Sequence, residues 1–103
     1  MANEREAQFL ELVREYPDSP MGHFSLGKLY LDEKRYADAA AALEKAASLD
    51  ANYSAALVAL GDARAQLGEP DRAREAYQRA LKTPHGQKDA SLQADIELRL
   101  RDL

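Results

Sequence analysis

The chain has 103 residues, enough for one domain with its own core, and its 46% hydrophobic content is rich in Ala and Leu, which predicts an all-α fold. Its 14 basic and 18 acidic residues are interspersed, with a formal net charge of −4. The surface therefore lacks the broad positive patch that binds nucleic acid. The absence of cysteine excludes disulfides, thiol nucleophiles and the usual zinc frameworks.

The N-terminal stretch, Met1 to Glu6, lacks the basic start and the apolar core of a secretory signal. No apolar run approaches the ~20 residues that a membrane-spanning helix needs. We therefore expect a soluble protein in the cytoplasm that has no membrane or nucleic-acid partner.

The first predicted helix runs from about residue 3 to residue 16, where Phe9, Leu12, Val13 and Tyr16 recur at helical spacing. A turn follows, in which Pro17 disfavours helical geometry at the preceding residue. Within that turn, Ser19 is positioned as the N-cap of a second helix, over 20–31, whose first residue is Pro20.

The second helix carries two apolar stripes and therefore needs cover on two faces. A third helix is predicted over 36–49 and a fourth over 53–67, with Asn52 as its N-cap. A fifth helix is expected over 70–82. The stretch 83–86 is predicted as a break, and a sixth helix follows over 88–102.

A fixed period of 34 residues relates the middle of the chain to itself. Leu26-Gly27 returns as Leu60-Gly61, and Ala46 returns as Ala80. The pattern Ala39-x3-Leu43 likewise returns as Ala73-x3-Tyr77. A glycine inside a helix costs ~1 kcal/mol relative to alanine, so two glycines at one phase indicate a steric requirement. We expect the partner helix to approach them at Ala39 and Ala73.

These positions together resemble the tetratricopeptide repeat, a helical hairpin of 34 residues that is stable only when stacked on its neighbours. The resemblance implies a right-handed superhelical stack of antiparallel hairpins, an α-solenoid of about six helices. It implies one domain, 1–103, that comprises an N-terminal helix (1–19), two repeats (20–53 and 54–87) and a C-terminal capping helix (88–103).

In that family the first helix of each repeat lines a concave groove for a peptide or helix of a partner protein. The corresponding residues lie on one face of each helix, and most of them are apolar. Phe24 and Val58 stand where the family's carboxylate clamp needs polar groups, so no such clamp is expected. The groove predicted by this transfer comprises Met21, Phe24, Lys28, Leu31, Ala55, Val58, Asp62 and Ala65.

No constellation for catalysis is evident in the sequence. His23 falls at a position of repeat packing and His85 in a turn. No serine occurs in a nucleophile-elbow context, and no glycine-rich phosphate loop follows a strand. We expect no enzyme activity, no catalytic or metal-binding residue and no cofactor. The predicted function is a protein–protein interaction module with a protein or peptide partner. The alternative is a structural or self-associating domain without a peptide groove, a weak homo-oligomer in which the exposed ends of the stack pair with another copy. A separate possibility is that the terminal helices bury Met21, Phe24 and Leu31, which leaves no groove.

Overall fold

The computed structural model describes residues 3–103, and over that range it contains seven helices and no strand, which confirms the all-α prediction. Met1 and Ala2, with which the predicted segment 1–19 begins, lie outside the described residues. The helices are α1 (Glu4–Glu15), α2 (Pro20–Asp32), α3 (Tyr36–Leu49), α4 (Ser54–Gln66), α5 (Pro70–Lys82), α6 (Pro84–Lys88) and α7 (Ala90–Arg101).

Helix starts follow local chemistry at most positions. The Ser19 side chain accepts from the backbone N–H of Met21, as expected for the N-cap of α2. The N-cap predicted for the fourth helix is wrong, because α4 begins at Ser54 with Tyr53 as its N-cap. The reason is a tight turn in which the Asp50 carboxylate accepts from the backbone N–H of Asn52 at 2.9 Å and places Asn52 one residue too early.

The predicted break at 83–86 is instead the start of the short helix α6. The buried Thr83 hydroxyl donates to the Ala80 carbonyl at 2.7 Å and accepts from the Gly86 backbone N–H at 2.9 Å. A Cβ at Gly86 would collide with the Ala80 carbonyl, so only glycine allows this return of the chain over the end of α5. The turn and the short helix therefore form one hydrogen-bonded unit.

Consecutive helices pack against each other, and short connections make them antiparallel neighbours. The core consists of two adjoining clusters of buried side chains. The first is centred on Leu26, Leu43 and Leu60, and the second on Leu57, Tyr77 and Ile96. Helix α1 covers the edge of the first cluster with partly buried side chains, whereas α7 inserts the fully buried Ile96 into the second.

The glycines of the repeat lie where two helices come closest, as expected, but the neighbour is not the one predicted. A Cβ at Gly27 would lie 2.5 Å from Leu43 Cδ2, and a Cβ at Gly61 would lie 2.5 Å from Tyr77 Cδ1. The predicted contacts, Ala39 and Ala73, lie one turn earlier on the same buried faces. The glycines therefore make room for a large side chain rather than for a bare backbone.

Helices α2 and α4 end in the same backbone motif, one period apart. At the end of α2, the N–H groups of Lys34 and Arg35 donate to the carbonyls of Leu31 and Tyr30, and Lys34 has a φ of 60°. At the end of α4, Gly68 occupies the equivalent position with a φ of 75°. Both ends match the Schellman motif, whose left-handed residue is usually glycine because other residues meet a steric penalty there.

We expect Gly61→Ala to lower the free energy of unfolding by roughly 1–3 kcal/mol, because the added methyl group must displace the buried Tyr77 ring. Urea denaturation followed by circular dichroism measures this change. Gly22→Ala is the comparison and should cost less, because its Cβ would lie 2.9 Å from Val13 Cγ2 and 3.2 Å from the Val13 backbone N, both longer than the distances at Gly61. A Gly61→Ala protein more stable than wild type would show that helix propensity, about 1 kcal/mol, outweighs this contact.

We expect Lys34→Gly to raise the free energy of unfolding by roughly 0.5–1 kcal/mol. Relief of the left-handed strain, about 1–2 kcal/mol, exceeds the entropy that glycine adds to the unfolded chain. The reciprocal change Gly68→Lys should lower stability by a similar amount, and the same urea titration measures both. If Lys34→Gly were destabilising, the strain assigned to the end of α2 would be absent.

Candidate functional site

Seven of the eight predicted groove residues line two neighbouring cavities on the face formed by α2 and α4. Met21 is the exception, because its side chain is 64% exposed and lines neither cavity. The two cavities share three residues, Lys28, Asp62 and Arg99, which form a charged row between them. We call these two cavities and their charged row the groove.

The smaller cavity has a volume of about 260 Å³ and mainly apolar walls. Phe24 forms one wall and is held by the Tyr53 ring, with the ring centroids 4.8 Å apart. Val58 is only 8% exposed and belongs to the second core cluster, so it serves as a floor that a ligand touches at its surface. Leu92, from α7, and His85, from α6, line the same cavity, which means that four helices build it.

The larger cavity has a volume of about 590 Å³ and lies at the C-terminal ends of α2 and α4. The partly buried Leu31 and Ala65 contribute its apolar surface. Two carboxylates, Asp32 and Asp102, also line it. Its lining is therefore more polar than that of the smaller cavity.

The charged row is centred on Asp62. Its Oδ1 accepts from the Tyr77 hydroxyl at 2.6 Å and from Arg99 Nε at 2.9 Å. Arg99 also pairs with Asp95 on its own helix. Lys28, which is exposed, makes no ion pair with any other residue of 3–103. Within the described part of the chain, the row thus contains one neutralised pair and one cation that has no ion-pair partner.

The two groups that donate hydrogen bonds to Asp62 have raised pKa values. Burial, and then the hydrogen bond to Asp62, raise the pKa of Tyr77 above its usual value. The hydrogen bond to Asp62 likewise raises the pKa of Arg99. Both groups keep one protonation state around neutral pH, which suits a fixed recognition surface better than acid–base chemistry.

Arg99 is missing from the predicted groove, because the sequence indicates only a capping role for the last helix. Arg99 and Asp62 are 37 positions apart in the sequence, so no local pattern predicts their ion pair. The one available signal was that Arg99 adjoins the apolar stripe of Ile96 and Leu100, where a long cationic side chain extends past a buried helix face.

The two histidines take different positions. His85 lines the smaller cavity from α6, and its Nε2 lies 2.9 Å from Asp89 Oδ2. His23 has a buried Nε2 that has no hydrogen-bond partner within residues 3–103.

In that same part of the chain, no group of three or more histidine, cysteine or acidic side chains is placed to hold a metal ion. Nor does any of its helices combine the length and apolar character needed to cross a bilayer.

Comparison with known proteins gives a consistent assignment. A family model described as the tetratricopeptide repeat matches residues 30–96. A TPR repeat-containing protein of Pseudomonas aeruginosa is 37% identical over 87 residues, which are 82% of this chain and 83% of that protein. Anaphase-promoting complex subunit 6 of Arabidopsis thaliana is 32% identical over 81 residues, 79% of this chain, but the matched chain spans only 15% of that subunit.

A solved structure shares the fold. The first TPR domain of Spaghetti, bound to an HSP90 peptide of sequence SRMEEVD, superposes with a TM-score of 0.71 at 16% identity, over 99% of this chain and 95% of that one. A likeness at this identity concerns the arrangement of helices. The family model and the bacterial relative show that the chain belongs to the tetratricopeptide repeat family.

Proposed function

We propose that the groove binds a peptide or helix of a partner protein and that the chain is a protein–protein interaction module rather than an enzyme. Within this proposal α2 and α3 form the repeat 20–53, and α4 and α5 form the repeat 54–87. Helix α1 and helix α7 flank these repeats, and the binding takes place in the cytoplasm.

The observation that carries the proposal is the small cavity between Phe24, Val58 and Leu92. It presents apolar surface from three helices, and an aromatic side chain stands at its edge. Interfaces are typically anchored by such a pocket, whose contacts supply affinity while polar groups at its rim supply orientation. The fold shared with a TPR domain solved with a bound peptide supports the same assignment.

A second candidate, self-association, is favoured by the apolar residues at the two ends of the stack. Leu10 on α1 is 49% exposed, and Leu98 on α7 is 55% exposed. Because each repeat buries its faces against neighbours, an uncovered end is a surface on which another copy can stack. In that case the groove would have no ligand of its own.

We expect Phe24→Ala to weaken partner binding by about 2 kcal/mol or more, the loss typical of an aromatic anchor. The photo-reactive amino acid p-benzoylphenylalanine at the exposed Ala55 should cross-link the partner in host-cell extract, and Phe24→Ala should remove most of that product. The same amino acid at Ala41, which is exposed on α3 and lines neither cavity, tests for random capture.

The matched control for stability is Phe9→Ala. Phe9 is partly buried, packs on the same core cluster as Phe24 and lines neither cavity. Circular dichroism should show both variants folded, with comparable losses of stability, while only Phe24→Ala loses the cross-link. Equal loss of the cross-link in both variants would contradict a groove centred on Phe24.

We expect the protein to be a monomer, which would argue against the self-association candidate. Sedimentation equilibrium should give the monomer mass, 11.4 kDa, over a wide range of protein concentration. This outcome follows if the exposed leucines at the ends are too few to hold two copies together. A mass that rises with concentration in the wild type, and stays at the monomer value in a Leu10→Glu, Leu98→Glu double variant, would establish the alternative.

A further inference from the structure

The small cavity holds an uncompensated positive charge. Its one carboxylate, Asp62, already accepts hydrogen bonds from Tyr77 and Arg99, and Arg99 is further neutralised by Asp95. Lys28 faces the same cavity without an ion pair to any residue of 3–103. A negatively charged ligand group in this cavity would therefore find one free cation beside an apolar wall.

The larger cavity has the opposite balance. Asp32 and Asp102 line it in addition to the three residues of the charged row, and neither of them forms an ion pair within residues 3–103. With Lys28 and Arg99 against Asp32, Asp62 and Asp102, carboxylates outnumber cations in its lining. A positively charged ligand group is favoured there.

We propose, given the groove function above, that the partner is a peptide segment with a defined charge order. It places an apolar residue and an adjoining acidic side chain in the small cavity, and a Lys or Arg side chain in the larger one. The acidic group is an internal side chain, because the groove continues past Lys28 into the second cavity and leaves room for the chain on both sides of that group.

This charge order also sets the direction of the bound segment. A segment bound in reverse would bring its basic side chain to Lys28 and its acidic side chain to Asp32 and Asp102, so that both contacts become repulsive. Like-charge contacts of this kind reject wrong partners more effectively than matched charges add affinity. Asp62 and Arg99 remain a fixed, neutral divider between the two ends.

The test is a selection from phage-displayed random dodecapeptides whose C-termini are fused to the coat protein, so that no peptide presents a terminal carboxylate. Wild-type protein should enrich sequences in which Asp or Glu adjoins an apolar residue and a Lys or Arg lies further along. Lys28→Glu protein should lose the acidic preference. The matched control is Lys45→Glu, the same charge change at an exposed site on α3 outside both cavities, and it should retain that preference.

Synthetic, C-terminally amidated copies of an enriched peptide then give the size of the effect by fluorescence anisotropy. Replacing the acidic residue with its amide should weaken binding to wild type by roughly fivefold, the upper range for an exposed ion pair, and should leave binding to Lys28→Ala unchanged. The fivefold difference should shrink at high salt, because exposed charges are screened.

The outcomes separate this inference from the groove function. Enriched peptides whose binding depends on Phe24, but which show no acidic preference or keep it with Lys28→Glu, would overturn the charge order and leave the groove intact. No enrichment, or binding that ignores Phe24→Ala, would overturn the groove function itself. Circular dichroism of the Lys28 variants confirms that the comparison is between folded proteins.

Discussion

The contact on which the rest of the structure depends is the insertion of one large side chain against a glycine in the paired helix. Because Gly61 has no side chain, the Tyr77 ring lies directly on the backbone of α4. The Tyr77 hydroxyl therefore reaches Asp62, the residue that follows Gly61 in the sequence. Asp62 in turn holds Arg99 of the last helix. One steric allowance therefore sets the spacing of α4 and α5 and orders the charged row of the groove.

The same backbone geometry is reached with different side chains in the two halves. In the first, Arg35 stacks on the Tyr30 ring, 4.3 Å from its centroid. In the second, the equivalent pair is Arg64 and Glu69, joined by an ion pair at 3.0 Å. The first pair lies at the C-terminal end of α2 and the second at the C-terminal end of α4, and the backbone hydrogen bonds of these two ends are the same. The repeat thus constrains the path of the chain and leaves the chemistry of each pair free.

Much of the fold could be predicted because its signals are local. The helices over 36–49 and 70–82 have the predicted bounds, since turn residues and prolines mark their ends within a few positions. Helix α6 could not be predicted, because it depends on a tertiary contact. Gly86 lies so close to the Ala80 carbonyl that a side chain at this position would collide with it. Seven of the eight proposed groove residues line the cavities, but Arg99 required a tertiary contact that no spacing within one helix reveals.

In such a short stack, the last helix contributes both to stability and to the lining of the proposed groove. Ile96 on one side of α7 is fully buried in the second core cluster, and Arg99, one turn later, closes the charged row. Removing α7 would uncover apolar surface and open both cavities at once, because Leu92 and Arg99 line the small one and Leu103, just beyond its end, lines the large one. A cap that also completes a site ties the shape of the groove to the burial that stabilises the fold.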